Sequence, residues 1–122
     1  RNVTPHTQGV PMKIAHQEME GVVCFQIEGR LDATSAPEAE TQVKDALKQG
    51  CQRMLFDLSR IDYISSAGLR VILMAVKELR NKKGKVVLCG LTPYVKEIFD
   101  VSNFSSIIPI TDSVETGLQQ AR

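Results

Sequence analysis

The segment DLSRIDYISSAGLR, residues 57–70, marks a change from strand to helix, because the spacing of apolar residues changes across it. Before it, a continuous apolar run at residues 54–56 is typical of a central strand covered on both faces, and we expect that strand to end at Asp57. After it, apolar residues recur at steps of three and four. This spacing predicts an amphipathic helix that begins at Ser65 or Ser66 and continues to about Lys82.

The chain before this stretch predicts a hairpin and a helix. Alternating apolar residues favour strands at 12–16 and 22–29, joined by a turn at 18–21. Ser35, with Glu38 three residues later, predicts a capping box at the start of a helix. The apolar face of that helix would carry Ala36, Ala39, Val43, Ala46 and Leu47.

The chain after residue 82 predicts four further elements. A buried strand at 86–89 is followed by the Thr92-Pro93 pair, which caps and opens a helix to about Val101. A strand at 107–110 contains a proline and is therefore placed at an edge, and a helix follows at 113–120. We expect an α/β sandwich with a mixed, mostly parallel sheet of about five strands and about four helices.

Composition and charge limit the function. The 122 residues suit a single domain, which we place at 12–122, with 1–11 as an N-terminal segment that is disordered or was added to the natural chain. Fifteen Lys and Arg residues against fourteen Asp and Glu residues give a net charge of +1, which argues against a nucleic-acid partner. No apolar run approaches the roughly 18 residues of a membrane span, so we expect no direct membrane insertion.

The three cysteines, at positions 24, 51 and 89, show no paired spacing. They predict reduced thiols and a cytoplasmic location, with no metal site and no cofactor.

The serine pair at the predicted helix start is the candidate site. Ser65 and Ser66 would lie beside free backbone N–H groups, a position that accepts anions. The structural alternative is that one serine only caps the helix while Gly68 allows a close helix contact. An enzyme is not expected, because no base accompanies the serines in sequence and no nucleophile-elbow motif occurs. A nucleotide site remains an alternative, although no glycine-rich phosphate-binding pattern is present.

Three segments together resemble the STAS domains of anti-sigma factor antagonists: GRLD at 29–32, DLSRIDYISSAGLR at 57–70 and LTPYVKEIFD at 91–100. The resemblance implies that Ser66 is the phosphoacceptor and that Asp32 and Ser59 lie near it. Ser65 stands where several family members carry aspartate. The implied partners are an anti-sigma factor that is itself a serine protein kinase, and a PP2C-type phosphatase that acts on the phosphorylated form.

The resemblance and the helix position predict a switch at the interface. The unmodified protein would bind the anti-sigma factor through the face that bears Ser66, Leu69 and Arg70, and so release a sigma factor. Phosphorylation would abolish binding, because burying a phosphate without a cation costs several kcal/mol. The same domain also serves in larger signalling assemblies and in membrane transporter systems, and these alternatives stay open.

Overall fold

The structure is a computed structural model that describes residues 11–122. Ten of the eleven residues assigned to an N-terminal segment lie outside the described residues, so the boundary at residue 12 stays a prediction.

Within residues 11–122, five strands form one sheet in the order β1-β2-β3-β4-β5. β1 pairs with β2 in the antiparallel direction, and every other pair of neighbours is parallel. The predicted mixed, mostly parallel sheet is therefore confirmed. The strands are β1 (Lys13–Met19), β2 (Val22–Leu31), β3 (Arg53–Ile64), β4 (Lys85–Cys89) and β5 (Ile110–Thr111).

Four α-helices of the described part of the chain cover the two faces of the sheet: α1 (Ala36–Lys48), α2 (Ser66–Asn81), α3 (Pro93–Val101) and α4 (Val114–Ala121). The first three helices pack on one face, where Phe25, Phe56 and Leu88 are fully buried. On the opposite face, Leu118 and Ala121 of α4 pack against Leu55. Both α2 and α3 occupy the ranges that the sequence predicts.

The predicted end of β3 at Asp57 is wrong. The strand continues to Ile64, and beyond Asp57 it pairs with β2 but no longer with β4. Register shifts between Gln26 and Glu28 and between Gly29 and Arg30 mark β-bulges in this pairing, which bend and twist the strand. The polar segment that resembles a loop is therefore an extended strand projecting beyond the end of β4.

The predicted capping box of α1 is also wrong. Ser35 occupies the N-cap position, but its side chain makes no capping hydrogen bond. The hydroxyl instead donates to the carbonyl oxygen of Arg30 at 2.7 Å. Asp32 stabilises the turn instead, because its carboxylate accepts hydrogen bonds from the backbone N–H groups of Thr34 and Ser35.

Two boundaries differ from the predicted ones at the edges of the sheet. β1 continues to Met19, so only Glu20 and Gly21 remain in the hairpin turn. At the other edge, residues 107 and 108 belong to no strand; a 3-10 turn at Phe104–Ser106 precedes them, and β5 has two residues. The proline limits the strand there, as its ring nitrogen cannot donate to a neighbour.

Candidate functional site

The two serines at the start of α2 have different roles. Ser65 is the N-cap, and its hydroxyl accepts a hydrogen bond from the backbone N–H of Gly68 at 3.3 Å. Ser66 is the first residue of the helix and is exposed. No hydrogen bond within residues 11–122 engages its hydroxyl. The capping role and the free hydroxyl therefore fall on separate residues.

Gly68 allows the first turn of α2 to lie directly over the end of β2. A Cβ atom at this position would stand 2.5 Å from the carbonyl oxygen of Leu31 and 2.7 Å from its Cγ. The backbone N–H of Ser65 donates to the same carbonyl oxygen at 2.9 Å. The close contact fixes Ser66 relative to the turn that follows β2.

Asp32 lies in that turn and is held by several contacts. Partial desolvation opposes ionisation of its carboxyl group, but the backbone N–H groups of Ser35 and Thr34 outweigh it, and the pKa of Asp32 is lowered. The Ser35 hydroxyl and the Arg30 guanidinium, whose Nε lies 3.5 Å from Asp32 Oδ2, act in the same direction. The turn beside Ser66 therefore carries a negative charge that is held in place by hydrogen bonds.

An apolar groove of about 480 Å³ runs between α2 and α3, and Ser66 stands at its rim. We call it the α2–α3 groove. Two of its apolar side chains face solvent: Tyr94 is 46% exposed and Val101 is 80% exposed. The lining consists of Ile64, Ser65, Ser66, Leu69, Tyr94, Glu97, Ile98, Val101 and Ser102. Such an exposed apolar surface is characteristic of a site that a partner covers.

Aromatic stacking connects this groove to the Asp32 turn. The Arg30 guanidinium lies 4.3 Å from the centroid of the Tyr63 ring. Tyr63 in turn stacks on Tyr94, with 6.5 Å between ring centroids. These three side chains, with Asp32, form a continuous surface at the end of the sheet next to Ser66.

The predicted site residues do not all meet. Ser66 and Leu69 share the α2–α3 groove, whereas Arg70 lines the cleft on the other side of α2, next to α1. Ser59 does not join them: Ser65 lies six positions further along the chain, a length of roughly 20 Å in an extended strand. It lies instead beside Asp57, to which its backbone N–H donates at 3.0 Å.

Tyr63, Tyr94 and Val101 also belong to this surface and are not among the residues that the sequence predicts. A signal for the last two was present, because α3 carries more apolar residues than its single buried face requires. Its buried residues are Val95 and Phe99, and the surplus faces the groove.

Two general features of the described chain are relevant to the site. Within residues 11–122, no helix combines the length and apolar character needed to cross a membrane. In the same range, no group of three His, Cys, Asp or Glu side chains is placed to hold a metal ion.

Comparisons with a family profile and with individual proteins point to the same family. The profile of the STAS domain family matches residues 13–117. BtrV of Bordetella bronchiseptica, a candidate anti-sigma factor antagonist, is 39% identical over 104 residues, which cover 85% of this chain and 90% of BtrV. The anti-sigma-B factor antagonist of Listeria monocytogenes is 31% identical over 106 residues, covering 83% of this chain and 88% of that protein.

A solved structure has the same fold. The anti-sigma factor antagonist of Mycobacterium paratuberculosis superposes with a TM-score of 0.84 at 17% identity, over 92% of this chain and 95% of that one.

Proposed function

This chain belongs to the STAS domain family, and from that membership we propose that it is a cytoplasmic anti-sigma factor antagonist that phosphorylation of Ser66 switches off. Its partner is an anti-sigma factor with serine kinase activity, and a PP2C-type phosphatase restores the unmodified form. The protein itself acts by binding and not by catalysis. The observation that carries the proposal is an exposed Ser66 hydroxyl at the rim of an apolar groove.

The position of Ser66 suits a kinase substrate. Its hydroxyl is exposed and already relieved of the capping role, which Ser65 performs. Phosphate adds about 1.5 to 2 negative charges at neutral pH. At the first turn of α2 the helix dipole favours them by about 0.3 to 1 kcal/mol. The domain therefore accepts the modification without unfolding.

The groove explains why the modification would end binding. A partner that covers Leu69 and Tyr94 also covers Ser66, since all three line the same groove. Glu97 lines it as well, so a phosphate would join a negative charge already present. Burying an uncompensated dianion costs several kcal/mol, and each 1.4 kcal/mol weakens binding about tenfold.

A nucleotide site at the same place has less support. The groove offers mainly apolar side chains and the carboxylate of Glu97, and none of the described residues that line it is a Lys or Arg. Nucleotide phosphates require cations or a cradle of backbone N–H groups, and the Gly68 N–H is already occupied by the Ser65 hydroxyl.

The test compares Ser66→Ala with Ser66→Asp. Mass spectrometry of the protein purified from its native cells should find phosphate on Ser66. Ser66→Ala, used as bait, should capture the kinase from the same cells. The purified kinase should then use ATP to phosphorylate the unmodified protein but not the Ser66→Ala variant. It should bind Ser66→Asp far more weakly than Ser66→Ala. Equal binding of the two variants would contradict the electrostatic switch.

A further inference from the structure

A second cleft opens on the α4 face of the sheet, away from Ser66. The C-terminal half of α4 covers Leu55 and Cys89. The sheet next to Val114, at the N-terminal end of α4, is left uncovered. The space there, about 300 Å³, lies between α4 and the β1–β2 hairpin. Asp57, from the middle of β3, lines this space, and we call it the Asp57 cleft.

Among residues 11–122, Asp57 is a buried carboxylate without a cationic partner. The residue is only 9% exposed, and no other charged or polar side chain among residues 11–122 is buried to this extent. It accepts the Ser59 backbone N–H at 3.0 Å and a long hydrogen bond from Gln26 Nε2 at 3.4 Å. The ion pairs within the described range all involve other carboxylates. Buried carboxylates are normally paired, because desolvating an isolated charge is costly.

The surroundings disfavour a metal ion as the missing partner. Burial, together with the Asp57 charge, raises the pKa of the Cys89 thiol to about 12, and the Cys24 pKa is raised for the same reasons. Both thiols therefore stay protonated near neutral pH and are poor metal ligands. His16 also lines the cleft, but its ring packs 5.2 Å from that of Phe25, which is buried on the opposite face of the sheet.

We propose that the Asp57 cleft binds a small organic cation, an ammonium or guanidinium group on a short aliphatic chain. The cation would lie on the Asp57 carboxylate and the Gln26 side-chain oxygen, with the aliphatic chain against Ala15, Met19 and Val114. A volume of about 300 Å³ lies at the lower end of small-molecule sites, which suits a ligand of this size. The site is on the opposite face of the sheet from the α2–α3 groove and does not depend on the switch at Ser66.

The proposal is tested by titrating the full chain with n-butylammonium and butylguanidinium while recording backbone amide NMR spectra. We expect saturable shifts, in the millimolar range, at Gln26, Asp57 and the first turn of α4, and none with n-butanol. Asp57→Asn should weaken binding at least about tenfold, whereas Asp62→Asn, which removes an exposed carboxylate of the same strand, should not. Shifts that do not saturate, that map elsewhere or that persist in Asp57→Asn would overturn the site.

Two further measurements complete the test. Val114→Phe fills the cleft while keeping Asp57, so it should also abolish binding if Asp57→Asn does not fold. A lysine blocked at its α-amino and α-carboxyl groups distinguishes a free small-molecule ligand from a lysine side chain of a partner protein. It should bind more weakly than n-butylammonium, because its two amide groups exceed the cleft. Tighter binding of the blocked lysine would contradict a small-molecule site.

Discussion

The backbone N–H of Ser65 donates to the carbonyl oxygen of Leu31 at 2.9 Å, which ties the start of α2 to the end of β2. Two segments that are more than thirty residues apart in sequence, the GRLD turn and the serine pair, therefore form one surface. A partner that binds this surface over Ser66 would therefore also contact the Asp32 turn beside it. The rigidity of the surface depends on Gly68, whose missing side chain permits the contact.

Replacing Gly68 with alanine should destabilise the domain by about 2 to 3 kcal/mol, because the added Cβ would overlap the Leu31 carbonyl oxygen and side chain. Urea unfolding followed by circular dichroism measures the change. Ser66→Ala in the same turn is the control and should change the free energy of unfolding by no more than about 0.5 kcal/mol. A Gly68→Ala variant as stable as the control would mean that α2 can move away from β2 at little cost.

Asp32→Asn should reduce stability at neutral pH and flatten its decline in acid. The folded-state pKa of Asp32 is lowered from 3.8, so its contribution is fully present above pH 3.8 and is lost as the pH falls through the folded-state pKa. Urea midpoints measured from neutral pH into acid should therefore converge for the variant and the parent protein. Asp45→Asn, an exposed site on α1, controls for the change in net charge. Parallel curves for the parent protein and Asp32→Asn would contradict the prediction.

The sequence predicts the helices and the buried strands well, because each has a clear period of apolar residues. It fails for the second half of β3. Ser59, Arg60 and Asp62 are polar and exposed, so this segment resembles a loop. The segment is nevertheless a strand, because it pairs with β2. Strand pairing is a long-range property that local periodicity does not report.

The same distinction applies to the site. The position of Ser66 at a helix start follows from local signals, such as a cap residue followed by apolar spacing. The α2–α3 groove does not, because Tyr94 and Val101 lie beside Ser66 only through the way α3 packs next to α2. The separation of Ser59 from Ser66 likewise depends on the unexpected length of β3.

The three thiols should differ in reactivity. Burial raises the pKa of the Cys89 thiol to about 12 and also raises the pKa values of Cys24 and Cys51, but of the three only Cys51 is partly exposed. With the reagent DTNB at about pH 8, one thiol, that of Cys51, should react in the folded protein, and the other two should react at the rate of unfolding. Cys51→Ala should remove the fast phase alone. Rapid labelling of Cys89 in the native protein would contradict the packing of α4 over the sheet.

Val101→Asn should weaken partner binding without affecting the fold. Val101 is 80% exposed at the end of α3, so its loss should change the free energy of unfolding by no more than about 0.5 kcal/mol. Val101 lines the α2–α3 groove, where a bound partner would cover it. Replacing an apolar side chain that a partner covers should weaken binding about tenfold. Isothermal titration with the purified anti-sigma factor measures this. Gln119→Ala on α4, on the opposite face, is the matched control and should bind normally. Unchanged affinity of Val101→Asn would place the partner's contact outside the groove while leaving the role of Ser66 to its own test.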